Sequence, residues 1–495
     1  MKEKRDFIVI GLGNILHTLI VFASIRLMTF FLSPKEMGEY SLFYAFGTMF
    51  FSLFIVPASL YMQRKVLEWA EAGTLAAYTQ KFLIYLSAVG ILSGALAVLI
   101  KIVFDIALPF SNSTFFILVS AVTVFMNGNA FFFSTFNLFQ MRFKYVIFSS
   151  LTALFIFIGG AVFVFSFGRN SFNWISGQVV GHLLMMALSG ILFFRFISSK
   201  ESRKGLWTWS RNKEDISGFL TFVFPVVAGS FVLWIQSESY RFFLGRLAGV
   251  EMLGLFSVGF TMANRVVEKF DTQFSNFYNP IFYKDIIAND SDEQKIKAWA
   301  NYAQMYIPSI LIAVLFVFSS ASLLEKILID PQYHGVSVET IRWGSVVMGL
   351  FSLLSLYRMI GIAKLKMEGI LIPYILGAAV MTFSIVFLAP LAPVTGTGFS
   401  MAAGAFVSTF TLHIEMKKIL PVRFPKKMLL KTSLFSVPLI SYLMIDSCVP
   451  KDLISCLFFL IVLGGYTAFS IFYLTNNEIS SRNLKNNADL IKVAQ

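Results

Sequence analysis

The sequence is short of charge: 14% of its 495 residues are Asp, Glu, Lys or Arg, against roughly 25% in a soluble globular protein. It has only two cysteines, Cys448 and Cys456, whose separation fits neither a metal-ligand pair nor a redox motif and gives no disulfide framework. Of four histidines, His17 and His182 fall inside apolar runs without a second ligand beside them, so no metal centre is legible. Long polar stretches are missing as well. No connector between apolar runs exceeds about twenty residues, which leaves no room for a soluble catalytic domain. GLGNIL near the start follows no strand, so it is not a dinucleotide fingerprint.

What is abundant is apolar surface: 57% of the residues are hydrophobic and 57 are phenylalanine. A bilayer core of about 30 Å needs about 20 apolar residues per helix. That ruler predicts fourteen spans, near 7–32, 39–62, 82–104, 114–139, 145–167, 173–197, 217–244, 252–280, 299–324, 342–363, 369–390, 396–416, 430–447 and 453–474. The first run follows MKEKRD and could pass for a secretion signal. It is too long for one, contains His17 and Arg26, and lacks a small-residue cleavage site, so it reads as a retained span. The fold class predicted is an all-α polytopic membrane protein.

A net charge of +13 would suggest nucleic acid in a soluble protein. Here the basic residues sit in short connectors that alternate along the chain. With the amino terminus cytoplasmic, 28 Lys and Arg fall in inside segments and 7 outside, namely Lys35, Lys101, Arg169, Arg246, Lys326, Arg342 and Lys451. That bias follows the positive-inside rule, puts both termini in the cytoplasm and removes nucleic acid as a partner. The longest connector, SSKESRKGLWTWSRNKEDIS, is basic and tryptophan-bearing, and reads as a linker on the membrane surface between two halves.

The halves repeat. Residues 13–41 carry Gly13-Asn14, Arg26 and EMGEYS; residues 229–257 carry Gly229-Ser230, Arg241 and EMLGLFS, most of them at an offset of 216 with the arginine displaced by one. The matched features are the rare ones in transmembrane hairpins. They predict two six-helix bundles, 1–197 and 217–420, joined by the linker 198–216 and followed by a helix pair and tail at 421–495. Equal span counts make the repeat parallel, about an axis along the membrane normal, with a substrate site expected between the halves.

This pattern, G-N early in the first span, an arginine further along it, then L-S-P-x-x-x-G-x-Y-S into the second, resembles the Wzx-type polysaccharide (O-antigen repeat-unit) flippases. Those belong to the polysaccharide transporter family of the multidrug/oligosaccharidyl-lipid/polysaccharide (MOP) exporter superfamily. The lipid II flippases of that superfamily carry a denser arginine-aspartate signature in the first span, whereas here Arg26 is followed by Leu27. The resemblance implies a transporter, not an enzyme, in a bacterial inner membrane. It would move undecaprenyl-pyrophosphate-linked oligosaccharide between leaflets for cell-surface polysaccharide synthesis, in contact with membrane lipid, a polysaccharide polymerase and a chain-length regulator. No cofactor is implied beyond coupling to protons or sodium.

Five basic residues remain inside predicted spans: Arg26, Arg241, Arg265, Lys269 and Arg358. A charge at the bilayer centre costs about 3 kcal/mol or more, so each needs a reason. Guanidinium forks suit phosphate oxygens, which makes the four arginines, with Lys269 and Asn14, candidates for an anionic substrate site. A structural reading competes: Arg241 lies three after Glu238 and Arg265 three before Glu268, both pairing distances on a helix. Arg26 has no acid in its own span and Arg358 none before Glu368, so each needs a partner from another helix or from a ligand.

Span eight, ANRVVEKFDTQFSNFYNPI, puts Val267, Phe270, Phe274, Phe277 and Ile281 on one seam and polar residues on the other side. Such a helix either lines a water-filled cavity or projects beyond the bilayer. Asp271, Glu238 and Glu268 are the acids at membrane depth and the candidates for ion coupling. Two other functions stand against the flippase: a cation-coupled multidrug exporter of the same superfamily, disfavoured by the excess of basic over acidic groups at depth, and a membrane polysaccharide polymerase or ligase, disfavoured by short outside connectors.

Overall fold

With no water in the hydrocarbon core, backbone N–H and C=O groups must be paired within a span, which leaves helices or closed barrels. The chain takes the first course. A computed structural model describes residues 2–106, 108–198, 213–288, 291–363, 368–421, 426–444 and 452–493, and among these there is no strand. All fourteen predicted stretches are mainly helical over their described residues. Ten helices among the described residues are long and apolar enough to cross a membrane, and two shorter apolar ones, Leu16–Phe31 and Thr432–Leu443, match the first and thirteenth stretches. The other two, 217–244 and 396–416, are helical but outside that set. Side chains such as Phe165, Phe224, Leu391 and Ile454 are at least 80% exposed, a surface that lipid covers and water would not.

Packing divides the chain into two compact units, Met1–Gly254 and Leu255–Gln495. The first holds α1 (Lys2–Phe31), α2 (Pro34–Phe50), α3 (Val56–Glu71), α4 (Leu75–Val103), α5 (Asn112–Leu138), α6 (Arg142–Phe167), α7 (Ser171–Ser198), α8 (Lys213–Glu238) and α9 (Tyr240–Leu247). Helix α10 (Val250–Ala288) begins in it. The L-S-P motif is the start signal of α2: Ser33 Oγ accepts from Glu36 N, the Glu36 carboxylate accepts from Ser33 N at 2.8 Å, and Pro34 fills the first turn. This reciprocal cap satisfies two donors that the helix end would leave bare.

Three predicted spans are interrupted, one of them, 299–324, by a turn at Ser320. Residues 39–62 run through a π-helical step at Phe51–Ile55, just before Pro57, between α2 and α3; proline cannot supply an N–H to the preceding turn. Residues 217–244 are α8 and α9, meeting at Ser239, whose hydroxyl donates back to Ile235 O at 2.5 Å and so competes with the helix ladder. Glu238 and Arg241 flank that break. Helices α8 and α9, which the repeat assigns to the second bundle, pack on α2, α3 and the π step of the first unit.

The core of the first unit is aromatic. Phe82, Phe131, Phe132, Phe136 and Phe193 from α4, α5 and α7 are buried together, with ring centroids 4.8–6.0 Å apart in tilted or edge-on pairs that suit the ring quadrupoles. One polar tie crosses it: Asn129 donates to Thr152 Oγ1 at 2.8 Å and accepts from Ser189 Oγ at 3.0 Å, joining α5, α6 and α7 as interhelical hydrogen bonds do in membranes.

The second unit holds the rest of α10, then α11 (Asp292–Ser319), α12 (Ala321–Leu328), α13 (Ser337–Ala363), α14 (Glu368–Leu388), α15 (Pro393–Ile419), α16 (Lys426–Met444) and α17 (Leu453–Val493). Helix α11 is its hub: 72% of its apolar window is buried, against 17% for α17. It packs on α13, α16 and α17, and Trp299 stacks on Tyr357 of α13 at 5.6 Å. Helix α10 has 39 residues, about 58 Å at 1.5 Å per residue and nearly twice a hydrocarbon core.

Candidate functional site

The repeat places its glycines at a helix crossing. A Cβ on Gly38 would lie 1.8 Å from Val250 O, and one on Gly254 would lie 1.7 Å from Pro34 O. Both pairs keep the offset of 216, so each glycine meets the backbone of the residue related to the other's partner. Only hydrogen fits there. The two EMG-type segments, α2 and the first turn of α10, thus touch reciprocally.

Beside this crossing lies the first group of charges. Arg241 Nη1 is 2.6 Å from Glu238 Oε2, with side chains 11% and 22% exposed. Arg241 Nε donates to Tyr240 Oη at 3.3 Å, and Tyr40 of α2 is close enough to act on the guanidinium electrostatically. Trp234 Nε1 donates to Thr48 Oγ1 at 3.2 Å and Phe242 meets Phe46 edge-on at 5.0 Å, which fixes the α8–α9 break against α2. The pairing that the spacing of Glu238 and Arg241 allowed is therefore formed. Arg26 is half-buried on α1, and its carbonyl accepts from Thr29 Oγ1 at 3.0 Å. The Asn14 side chain and most of the linker 198–216 lie outside the described residues.

The second group lies within the second unit. The Tyr306 hydroxyl of α11 donates to the Asp271 carboxylate and lies 3.2 Å from Ser352 O of α13. Ser275 Oγ, one turn along α10, is 3.3 Å from Asp271 Oδ1. Arg358 reaches Ser355 Oγ at 3.4 Å and lies near enough to Tyr374 of α14 and to Asp271 to interact with them electrostatically. Asp271 and Tyr374 are thus the groups that other helices bring near Arg358. Arg265 and Glu268 pair at 3.4 Å with 44% and 48% exposure, a contact of at most about 1 kcal/mol in water; Lys269 is half-buried one residue on.

Sequence reasoning singled out neither Tyr306 nor Tyr374, which look like ordinary aromatics until α11 and α14 are set against Asp271 and Arg358. It also passed over Glu39, 7% exposed, whose Oε2 accepts from Ser171 Oγ at 2.6 Å. Glu39 stands at the first residue of a predicted span, where an acid reads as a connector charge. Among the described residues no group of three His, Cys, Asp or Glu is placed to hold a metal ion.

Comparison with known proteins places the fold. No protein-family profile matches the chain, and no curated protein matches it. Solved structures do. The lipid II flippase MurJ in an inward closed conformation superposes with a TM-score of 0.64 at 14% identity, covering 96% of this chain and 99% of its own. An inward-facing multidrug resistance MATE family transporter of the MOP superfamily gives 0.58 at 12% identity, covering 83% of this chain and 98% of its own. An outward-facing one gives 0.53 at 10%, with 84% and 96% covered. The chain has the helical transporter fold shared by MurJ and the MATE proteins.

Proposed function

We propose that the chain is a flippase for lipid-linked oligosaccharide, of the Wzx type, moving an undecaprenyl-pyrophosphate-linked glycan unit from the cytoplasmic to the periplasmic leaflet of a bacterial inner membrane by alternating access. The observation that carries this reading is coverage: the MATE structures account for 83–84% of this chain while nearly complete themselves, whereas MurJ, named as a lipid II flippase, accounts for 96%. The sequence adds the excess of intramembrane arginine, suited to pyrophosphate oxygens. Arg26, Arg241, Arg265, Arg358, Asn14 and Lys269 are proposed as the substrate-contacting set, with Arg26 and Arg241 leading it. No bond is made or broken.

For coupling, the geometry favours Asp271 over Glu238 and Glu268, because Glu238 is held by Arg241 and Glu268 is exposed beside Arg265. The Tyr306 hydroxyl has one hydrogen and two acceptors, Asp271 and Ser352 O. With Asp271 ionised, the hydroxyl donates to the carboxylate. With Asp271 protonated, the acid donates to the tyrosine oxygen and the tyrosine hydrogen turns to Ser352 O. Both states are hydrogen-bonded, as a reversible proton carrier requires, so protons are the proposed coupling ion.

A multidrug exporter of the MATE kind is the second reading, kept by the fold likeness. Deleting the gene separates them. A flippase leaves a lipid-linked glycan accumulating on the cytoplasmic leaflet; an exporter leaves glycans unchanged and raises sensitivity to cationic drugs.

A further inference from the structure

In the first unit, the connections α1–α2, α4–α5 and α6–α7 line an open cleft of about 560 Å³, within the roughly 300–1,000 Å³ of small-molecule sites. By strand-free up-and-down connectivity these three turns share the bundle end opposite the amino terminus. Its lining mixes both kinds of surface. Phe110 and Phe172 face it with ring centroids 6.3 Å apart, and Phe172 keeps 40% of its surface exposed. Around them stand Lys35, Glu39 and Asn170.

Much of the polar lining is already engaged: Glu36 closes the α2 cap, Ser111 caps α5 by accepting from Thr114 N, and Asn170 Oδ1 accepts from Asn173 N at 2.8 Å. What remains for a ligand is a mixed set of donors and acceptors: the Lys35 ammonium, the Asn170 amide N–H groups and the Glu39 carboxylate, whose Oε2 already accepts from Ser171. One cation against the two acids Glu36 and Glu39 disfavours phosphate, and Lys35 among the acids disfavours a cation. A lipid tail would strand the polar half. A neutral polyol meets all of it, with hydroxyls for the donors and acceptors and an apolar C–H face for the exposed ring.

We propose that this cleft is a docking site for one neutral hexose-type unit of the glycan, held by Lys35, Glu39 and Asn170 against the Phe110–Phe172 pair. It rests on the flippase reading and places a sugar contact at the end of the first unit where, by the charge bias of the connectors, the glycan leaves.

The test uses the full chain in lipid nanodiscs and saturation-transfer NMR with free glucose, galactose, N-acetylglucosamine and rhamnose, none of them lipid-linked. Ring protons of at least one sugar are expected to receive saturation, with binding at least tenfold weaker in Asn170→Asp and in Phe172→Ala at unchanged melting temperature. Asn170→Asp keeps the oxygen that caps α7, replaces the amide donors with a carboxylate and adds a negative charge beside Glu36 and Glu39. Lys35→Met, at an exposed position, supplies a third variant that does not touch the fold. Absence of transfer to every sugar, or transfer equal in all three variants and the parent, overturns the proposal. Glycan accumulation in the deletion strain without sugar binding would remove the cleft and leave the flippase; sugar binding without accumulation would do the reverse.

Discussion

The pair Glu238–Arg241 is the place where a structural arginine and a substrate-binding one can be told apart. Removing one member of a fully buried ion pair costs about 3–5 kcal/mol, because the other charge is left in a poor solvent. Here the side chains keep 22% and 11% exposure at 2.6 Å, so desolvation is incomplete. Glu238→Gln or Arg241→Leu alone is therefore expected to cost about 2–3 kcal/mol, and the double variant less than the two together, with a coupling of about 1–3 kcal/mol. The measurement is reversible unfolding of the purified protein in mixed micelles for all four members of the cycle, alongside glycan export in cells. A structural pair predicts that the double variant recovers both stability and export. A substrate-binding Arg241 predicts recovered stability with export still lost. If the singles cost nothing, or the double costs their sum, the pair carries no coupling energy and the reasoning from burial and distance is refuted.

Arg26→Lys keeps the charge but loses the two-pronged geometry, so it is expected to retain partial export, while Arg26→Ala inserts normally and loses it; membrane protein level measured together with export checks both, and a well-expressed, fully active Ala variant removes Arg26 from the substrate site. Asp271→Asn is expected to abolish the response to a proton gradient, in which one pH unit per proton is worth about 1.4 kcal/mol, a tenfold bias; transport in proteoliposomes with and without an imposed gradient reads it, and an unchanged ratio puts coupling elsewhere. Gly254→Ala, whose methyl would lie 1.7 Å from Pro34 O, is expected to cost about 1–3 kcal/mol as overpacking, seen as reduced yield and a lower unfolding midpoint, and Gly38→Ala should match it; tolerance of either would mean the helices do not cross at these residues. Reporters fused near Trp207 and near Lys426 are expected to report cytoplasm, and an external signal from either breaks the six-plus-six-plus-two order.

The class of fold was legible from the chain alone, because the length and polarity of helices in a bilayer are set by local composition and need no knowledge of neighbours. Each of the fourteen stretches measured with a twenty-residue ruler is helical over its described residues apart from one or two turn or bend residues at or near its ends or breaks, whereas the predicted second span began at residue 39 and missed the Ser33-Pro34-Glu36 cap that starts α2 at Pro34, although its hydrogen bonds close within three residues. The Glu238–Arg241 and Arg265–Glu268 contacts were legible because helical spacing places i and i+3 on one face. The repeat was legible too, since Gly38 and Gly254 are rare among large apolar residues.

What those features meet depends on how the helices pack. That Gly38 and Gly254 answer each other's backbone depends on how α2 crosses the start of α10. Arg358 finds Tyr374, and Asp271 finds Tyr306, through helices remote in sequence, and nothing in SLYRMIG or FDTQFS names those partners. The break at Ser239 and the π step at Phe51–Ile55 accompany a serine back-bond and a proline, which leave the apolar run intact, so a hydropathy ruler runs straight through them. Glu39 shows the limit most plainly: the same carboxylate is a surface charge or a buried acid depending on whether Ser171, 132 residues away, comes to cover it.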